Sequence, residues 1–163
     1  MAVCSKLIQF LDDNHARYTV ASFSKAYTSQ ETAAALQVSG KELAKSIIVQ
    51  DNGNFSLLIL PSNFRVDFDQ LKSTLGNKNI RLASEKYFKS LFPDCEIGAM
   101  CPFGHLYKIP VYIAQSISDQ EEIVFKAGTH SDAVRMSMDD YIRLEAPKAL
   151  HISEPIWPVR NSR

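Results

Sequence analysis

The segment Gly98-Ala99-Met100-Cys101-Pro102-Phe103-Gly104-His105 has the composition of a site-building loop. Two glycines bracketing Pro-Phe continue neither a helix nor a central strand. Glycine lets a backbone approach a ligand closely and aim its N–H groups at it, with Phe103 exposed beside it. The same residues also suit a tight turn between strands with Phe103 buried beneath it. Lys45 stands where the turn Glu42-Leu43-Ala44 runs into the apolar Ile47-Ile48-Val49. An ammonium entering a buried strand needs a partner or a cleft, where it can neutralise a phosphate or polarise a carbonyl. The alternative is a rim lysine snorkelling to solvent. Gly128-Thr129-His130-Ser131-Asp132 joins two strand-like runs. His130 suits the positioning of a water or the binding of a substrate ammonium or hydroxyl. It suits an exposed loop histidine equally well.

Cys95, Cys101, His105 and His130 invite a metal reading, but Cys-x5-Cys is wider than a zinc knuckle and no second tight ligand pair follows. A Cys101 nucleophile activated by His105 has only a four-residue spacing on a Pro-Gly loop behind it. The chain has no phosphate-binding Gly-x-x-x-x-Gly-Lys loop, no Gly-x-Gly-x-x-Gly after a strand and no Gly-x-Ser-x-Gly elbow. Phosphoryl transfer, dinucleotide redox chemistry and serine hydrolysis therefore lose ground, and no cofactor or metal is expected.

These segments sit in a chain of 163 residues, close to one typical domain, with 45% hydrophobic and 22% charged residues. Eighteen basic and eighteen acidic residues balance, which argues against coating nucleic acid through bulk electrostatics but leaves room for reading one RNA end. Three unevenly spaced cysteines (Cys4, Cys95, Cys101) read as free thiols. The longest apolar stretch, Leu57 to Pro61, is too short to span a bilayer, and the N-terminus lacks the layout of a secretion signal. A cytoplasmic protein is expected.

The positioning elements follow from patterning. Val3, Leu7, Ile8, Phe10 and Leu11 predict an opening amphipathic helix ending near His15, and Tyr18 to Ser22 a short strand. Thr28-Ser29-Gln30-Glu31 fits a capping box for a helix through Leu36 that stops near Gly40. Ser39-Gly40-Lys41-Glu42 predicts a further turn of helix ending at Lys45. Ile47 to Val49 and Phe55 to Leu60 around Asp51-Asn52-Gly53-Asn54 predict a hairpin. Asp67 and Gly76 bound another helix, Ile80 to Ala83 reads as a strand, and Ser84 caps a helix from Glu85 to Phe92. Ile109 to Ile117, Glu122 to Ala127 and Ala133 to Met136 read as strands, and Asp139 to Leu144 as a last short helix. The end reads as an extended tail docking through Ile156 and Trp157, or a frayed end. Without a strict βαβ rhythm, an α/β protein of α+β type with a mixed sheet is favoured.

In order and spacing, from about Tyr18 to Leu144, these motifs resemble the YbaK/prolyl-tRNA synthetase-associated editing domain family. Tyr27 to Ala34 is similar to its early helix, and Lys41 to Val49 to its lysine-bearing segment. Leu91 to Gly104 is similar to its Gly-x-x-x-Pro-Phe-Gly loop with the lead-in of free-standing members. Ala127 to His130, followed by Val134-Arg135-Met136, is similar to its closing glycine-histidine segment. The resemblance implies one domain over residues 1–163, with 146–163 a C-terminal tail, built on a mixed, partly barrel-like sheet flanked by helices. It implies trans-editing: hydrolysis of the ester joining a wrong amino acid to the terminal ribose of a tRNA. Lys45 would hold the terminal phosphate or the ester carbonyl. Gly98, Pro102, Phe103 and Gly104 would wall the amino-acid pocket, and Gly128, Thr129 and His130 would complete it and help order the water. Substrate positioning and the ribose hydroxyl replace a side-chain nucleophile. The implied partners are the acceptor end of an aminoacyl-tRNA and an aminoacyl-tRNA synthetase, with no membrane and no DNA. Phe23, Ala114 and Cys101 stand where the family often carries a histidine, an acidic residue and a proline. A family member without catalysis, binding an RNA end, a small ligand or a protein, is the alternative.

Overall fold

The structure, a computed structural model, describes residues 4–156. The opening amphipathic run forms α1 (Ser5–Asp13), which buries Leu7 and Leu11, and β1 (Tyr18–Ser22) follows. α2 (Ser29–Leu36) begins on a reciprocal capping box. The Glu31 N–H donates to Thr28 Oγ1 at 3.0 Å, and the Thr28 N–H donates to Glu31 Oε1 at 3.2 Å. Gln37 ends the helix in the left-handed region, ahead of the expected stop at Gly40.

The hairpin is longer than its apolar pattern suggested: β2 (Leu43–Asp51) and β3 (Asn54–Pro61) pair from Ala44–Pro61 to Asp51–Asn54. The expected helical turn is a single hydrogen-bonded turn, with the Glu42 and Leu43 N–H groups donating to Ser39 O at 3.1 and 3.2 Å. It stops before Leu43, so Lys45 is the third residue of β2. Strand pairing wins here because Leu43 and Ala44 already have partners in the neighbouring strand. β4 (Phe64–Val66) leads to α3 (Phe68–Leu75), capped by Asp67 accepting from the Gln70 N–H and ended by Gly76 at φ +64°. β5 (Arg81–Leu82) is brief, and α4 (Glu85–Phe88) gives way to a 3-10 turn at Lys89–Leu91, so the expected helix ends at Phe92 but only its first half is α-helical.

Of the apolar run Ile109 to Ile117, only β6 (Val111–Ala114) is strand. Its end becomes α5 (Gln115–Ser118), whose Ile117 is buried; a short apolar run cannot separate a buried strand from a buried helical turn. β7 (Glu122–Lys126), β8 (Asp132–Ser137) and α6 (Met138–Glu145) follow. The expected tail is not a loose extension. β9 (Lys148–Leu150) pairs parallel to β6, and β10 (Ser153–Pro155) pairs antiparallel to β4. The buried anchor is Ile152, whereas Ile156 is half exposed and Trp157 lies outside the described residues.

The main sheet runs β1-β8-β7-β2-β3-β6-β9, with β5 joining β2 beyond β7. β2/β7, β3/β6 and β6/β9 are parallel and the remaining pairs antiparallel, a mixed sheet flanked by helices. Its core gathers Leu57 to Leu60, Ile113, Phe125 and Val134 with Leu7, Leu11, Leu71 and Tyr141 of the helices.

Candidate functional site

The cleft begins where a strand pairing stops. β2 and β7 pair in parallel only at Leu43–Val124 and Ala44–Phe125. On β2 the even-numbered peptides face this edge: the Val124 N–H donates to Glu42 O at 3.0 Å, and farther on the Ala83 N–H donates to Ile48 O at 2.9 Å. Strand alternation therefore turns the Ser46 peptide into the gap between the end of the β7 pairing and the start of β5. The gap opens into a cleft lined by Leu43 to Ser46 of β2, Lys126 of β7, Tyr27, Ser29 and Thr32 around α2, and Gly98 and Met100 of the glycine loop.

Two ammonium groups dominate it. Lys45 Nζ donates to Ser62 O at 3.3 Å. Lys126 Nζ donates to Ala26 O at 2.7 Å and lies 2.8 Å from His130 Nδ1. Burial holds both lysines below their ordinary pKa; at Lys126 the carboxylates of Glu96 and Glu31 oppose that shift. Partly dry ammonium groups with spare donors gain most from an anion. The lining carries hydroxyls as well, but no carboxylate, imidazole or thiol among the described residues. It is built to hold negative charge, without a side-chain general base in the lining.

His130 stands immediately behind the lining. Its Nε2 is 2.8 Å from Ile97 O, and a carbonyl only accepts, so this nitrogen carries the hydrogen. Nδ1 is then the acceptor for the Lys126 ammonium. The Tyr27 ring lies 4.7 Å away, centroid to centroid, and the His130 N–H donates to Glu96 Oε1 at 3.1 Å. With both nitrogens engaged, the imidazole braces the glycine loop against Lys126. Gly98 meets this brace at φ +88°, where an added Cβ would come within 3.3 Å of His130 Cε1.

The other expected site residues are distributed differently. Phe103 is fully buried, not exposed, and its ring packs 5.6 Å from Phe10, 5.8 Å from Phe125 and 5.0 Å from Tyr141. Pro102 O accepts from the Tyr141 hydroxyl at 2.7 Å, and a Cβ on Gly104 would overlap the Ile109 carbonyl oxygen. Thr129 is buried and donates to Asp132 Oδ2 at 2.7 Å. Gly128, at φ +98°, lies against Cys4. The fold thus brings Lys45 and Gly98 to the cleft with His130 behind them. It sets Pro102, Phe103, Gly104, Gly128 and Thr129 in the supporting packing.

Cys101 is fully buried and Ala114 sits in the core, while Phe23 packs on Leu43, Val124 and Ala133 beside the cleft. Sequence reasoning passed over Lys126, Tyr27, Ser46 and Thr32 as site residues. Lys126 carried the same signal as Lys45, a lysine at the margin of an apolar strand, Ile123-Val124-Phe125. The others carried none, since nothing local marks which hydroxyls a strand edge will expose.

Among known proteins, the aminoacyl-tRNA editing domain matches residues 24–144. No curated protein is significantly similar to the chain. The structure is similar to that of the hypothetical protein APE2540, with a TM-score of 0.82 and 19% identity over 92% of this chain and 100% of that one. It is also similar to a protein named as a candidate trans-editing enzyme for prolyl tRNA synthetase, with a TM-score of 0.79 and 19% identity over 93% of this chain and 96% of that one. At that identity the likeness is one of fold, whereas the domain match covers most of the chain. The chain belongs to the aminoacyl-tRNA editing domain family.

Proposed function

We propose that this protein is a cytoplasmic trans-editing deacylase that hydrolyses the ester bond of mischarged aminoacyl-tRNA. The observation that carries this reading is the convergence of Lys45, Lys126, the Ser46 peptide edge and Gly98 on one cleft without a carboxylate. The terminal nucleotide of a charged tRNA offers a phosphate, a ribose and an aminoacyl ester. The phosphate matches the two ammonium groups. The ester carbonyl, brought to the sheet edge, finds the Lys45 ammonium and the Ser46 N–H as donors for the oxyanion that forms when water adds to it. Collapse of that intermediate releases the amino acid and returns a hydroxyl to the ribose.

An aminoacyl ester is already activated, so orientation and oxyanion stabilisation are the main requirements. The lining supplies no base, which suits a water ordered by the neighbouring ribose hydroxyl of the substrate. His130 contributes by holding Lys126 and the glycine loop in place.

The test is a panel of mischarged tRNAs incubated with the wild-type protein and with Lys45→Ala. At least one tRNA should be deacylated faster than in buffer, and Lys45→Ala should lose that acceleration. Equal activity in the two proteins, or no acceleration with any tRNA, would defeat the reading. Tight binding of a charged tRNA end without turnover would instead mark a binding module that has kept the cleft.

A further inference from the structure

Outside the cleft, two thiols at the margin of the core meet a carboxylate that the catalytic reading does not use. Cys4 Sγ donates to Asp94 Oδ2 at 3.0 Å, and Cys95 Sγ lies 3.9 Å from Asp94 Oδ1. The Tyr107 hydroxyl donates to Asp94 Oδ1 at 3.1 Å and sits 3.4 Å from Cys95 Sγ and 3.8 Å from Cys4 Sγ. One ligand atom from each of Cys4, Asp94 and Cys95 lies within 4.8 Å of the others, and both thiols are buried. Zinc bonds of about 2.3 Å to sulfur and about 2.0 Å to oxygen set tetrahedral edges of about 3.5–3.8 Å. The three donors therefore need only small adjustments to share one ion.

Their chemistry selects the ion. Two thiolates with one carboxylate suit zinc and disfavour magnesium or calcium, which take oxygen ligands. The Tyr107 hydroxyl already anchors one carboxylate oxygen and leaves the other beside Cys4, the outer support that metal-bound side chains use to stay oriented. The Lys6 ammonium lies over the Tyr107 ring, 5.2 Å from its centroid, near the net negative charge of such a complex. The backbone is arranged to match. The Cys4 N–H donates to Ala127 O at 3.0 Å, the Glu96 N–H donates to Gly128 O at 2.8 Å, and a Cβ added at Gly128 would stand only 3.1 Å from Cys4 Cβ.

We propose that Cys4, Asp94 and Cys95 form a structural zinc site that clamps the start of the chain to the segment leading into Gly98. Zinc replaces the thiol protons. Two zinc–sulfur bonds and one zinc–oxygen bond form, two protons leave to solvent and no group is oxidised. The fourth position is taken by water or by the Tyr107 oxygen. Because Cys4 and Asp94 are 90 residues apart in the chain, the ion closes a long loop and its binding energy stabilises the fold.

The decisive experiment titrates the full, metal-free chain with zinc and with cobalt under reducing conditions. One ion should bind per chain, with a thiolate-to-cobalt charge-transfer band, release of protons to the buffer and a higher Tm. Cys4→Ser and Cys95→Ser should each weaken binding by about 100-fold or more and remove most of the band, whereas Cys101→Ser should bind like wild type. The wild-type cobalt spectrum is diagnostic by itself, so a variant that failed to fold would not blunt the test. A wild-type chain without the thiolate band, or a band that survives in both serine variants, would overturn the assignment. Air oxidation of Cys4 and Cys95 to a disulfide in a chain that binds no zinc once reduced would also do so.

Discussion

Lys45 and Lys126 occupy matching positions on parallel neighbours, each one residue beyond the last paired positions, Ala44 and Phe125. The strands stop pairing at the point where two ammonium groups would otherwise face each other across a closed sheet. The opening between the strands sets both ammonium groups on one cleft and leaves room for an anion. That shared placement directs the first two predictions.

Replacing Lys126 by Met should weaken binding of a charged tRNA end by about 10–100-fold, the range for losing one charge-assisted contact. Lys45→Met should lower kcat by about 100-fold or more if its ammonium also serves the oxyanion. Steady-state deacylation kinetics on the same tRNA would separate the two. Identical losses in KM alone for both variants would show that neither lysine touches the reacting carbonyl.

The pH response of the two lysines should run in opposite senses for stability and for activity. Burial lowers the pKa of both below the ordinary 10.5, so between the lowered values and 10.5 the unfolded chain binds more protons than the folded one. Stability contributed by these sites therefore rises with pH through that window. Deacylation should fall over the same window as the ammonium groups neutralise. Thermal unfolding and initial rates followed together from neutral to alkaline pH would show it; a rate that keeps rising past the window would contradict it.

Gly98→Ala and Gly104→Ala should fail for different reasons. At Gly98, φ of +88° and the 3.3 Å approach to His130 strain a side chain by about 1–3 kcal/mol, displacing the brace behind Lys126. The expected result is a folded protein with impaired deacylation. At Gly104 the new Cβ would collide with the Ile109 backbone, and the adjacent Phe103 lies at the centre of an aromatic cluster. That variant should lose several kcal/mol of stability or not fold, by analogy with core disruption. Circular dichroism and activity on both proteins would decide; a stable, active Gly104→Ala would contradict the packing assigned to it.

Glu145 is buried at the end of α6, where its Oε1 accepts the His105 N–H at 3.2 Å, and burial raises its pKa from 4.5 to about 7. The folded chain therefore holds this proton where the unfolded chain has released it, and stability is lost as pH rises from 4.5 to about 7. Glu145→Gln keeps an acceptor for His105 without the charge. It should match wild type near about pH 4 and exceed it near about pH 8 by roughly 3 kcal/mol, since one pKa unit is worth about 1.4 kcal/mol. Denaturant unfolding at the two pH values checks this, and a variant equally destabilised at both would point to lost packing instead.

Local patterning was enough for much of the scaffold. The capping box at Thr28 and Glu31, the Asp67 cap, the Gly76 stop and the Asn52-Gly53 hairpin all appear as read, because each depends on residues within a few positions of one another. Lys45 and Gly98 were also visible, as a charge at the margin of an apolar run and a glycine in a loop. Tertiary structure alone decided the rest. Where β7 leaves β2 turned Lys126 and the Ser46 peptide into cleft walls, and packing against Phe10, Phe125 and Tyr141 drew Phe103 from a supposed pocket wall into the core. Likewise, Cys4 was an isolated thiol in the sequence until the fold set it beside Asp94 and Cys95. Caps and turns depend on near neighbours, which the order of residues states directly. Clefts and ligand clusters depend on contacts between distant segments, and those exist only once the strands have chosen their partners and where to part.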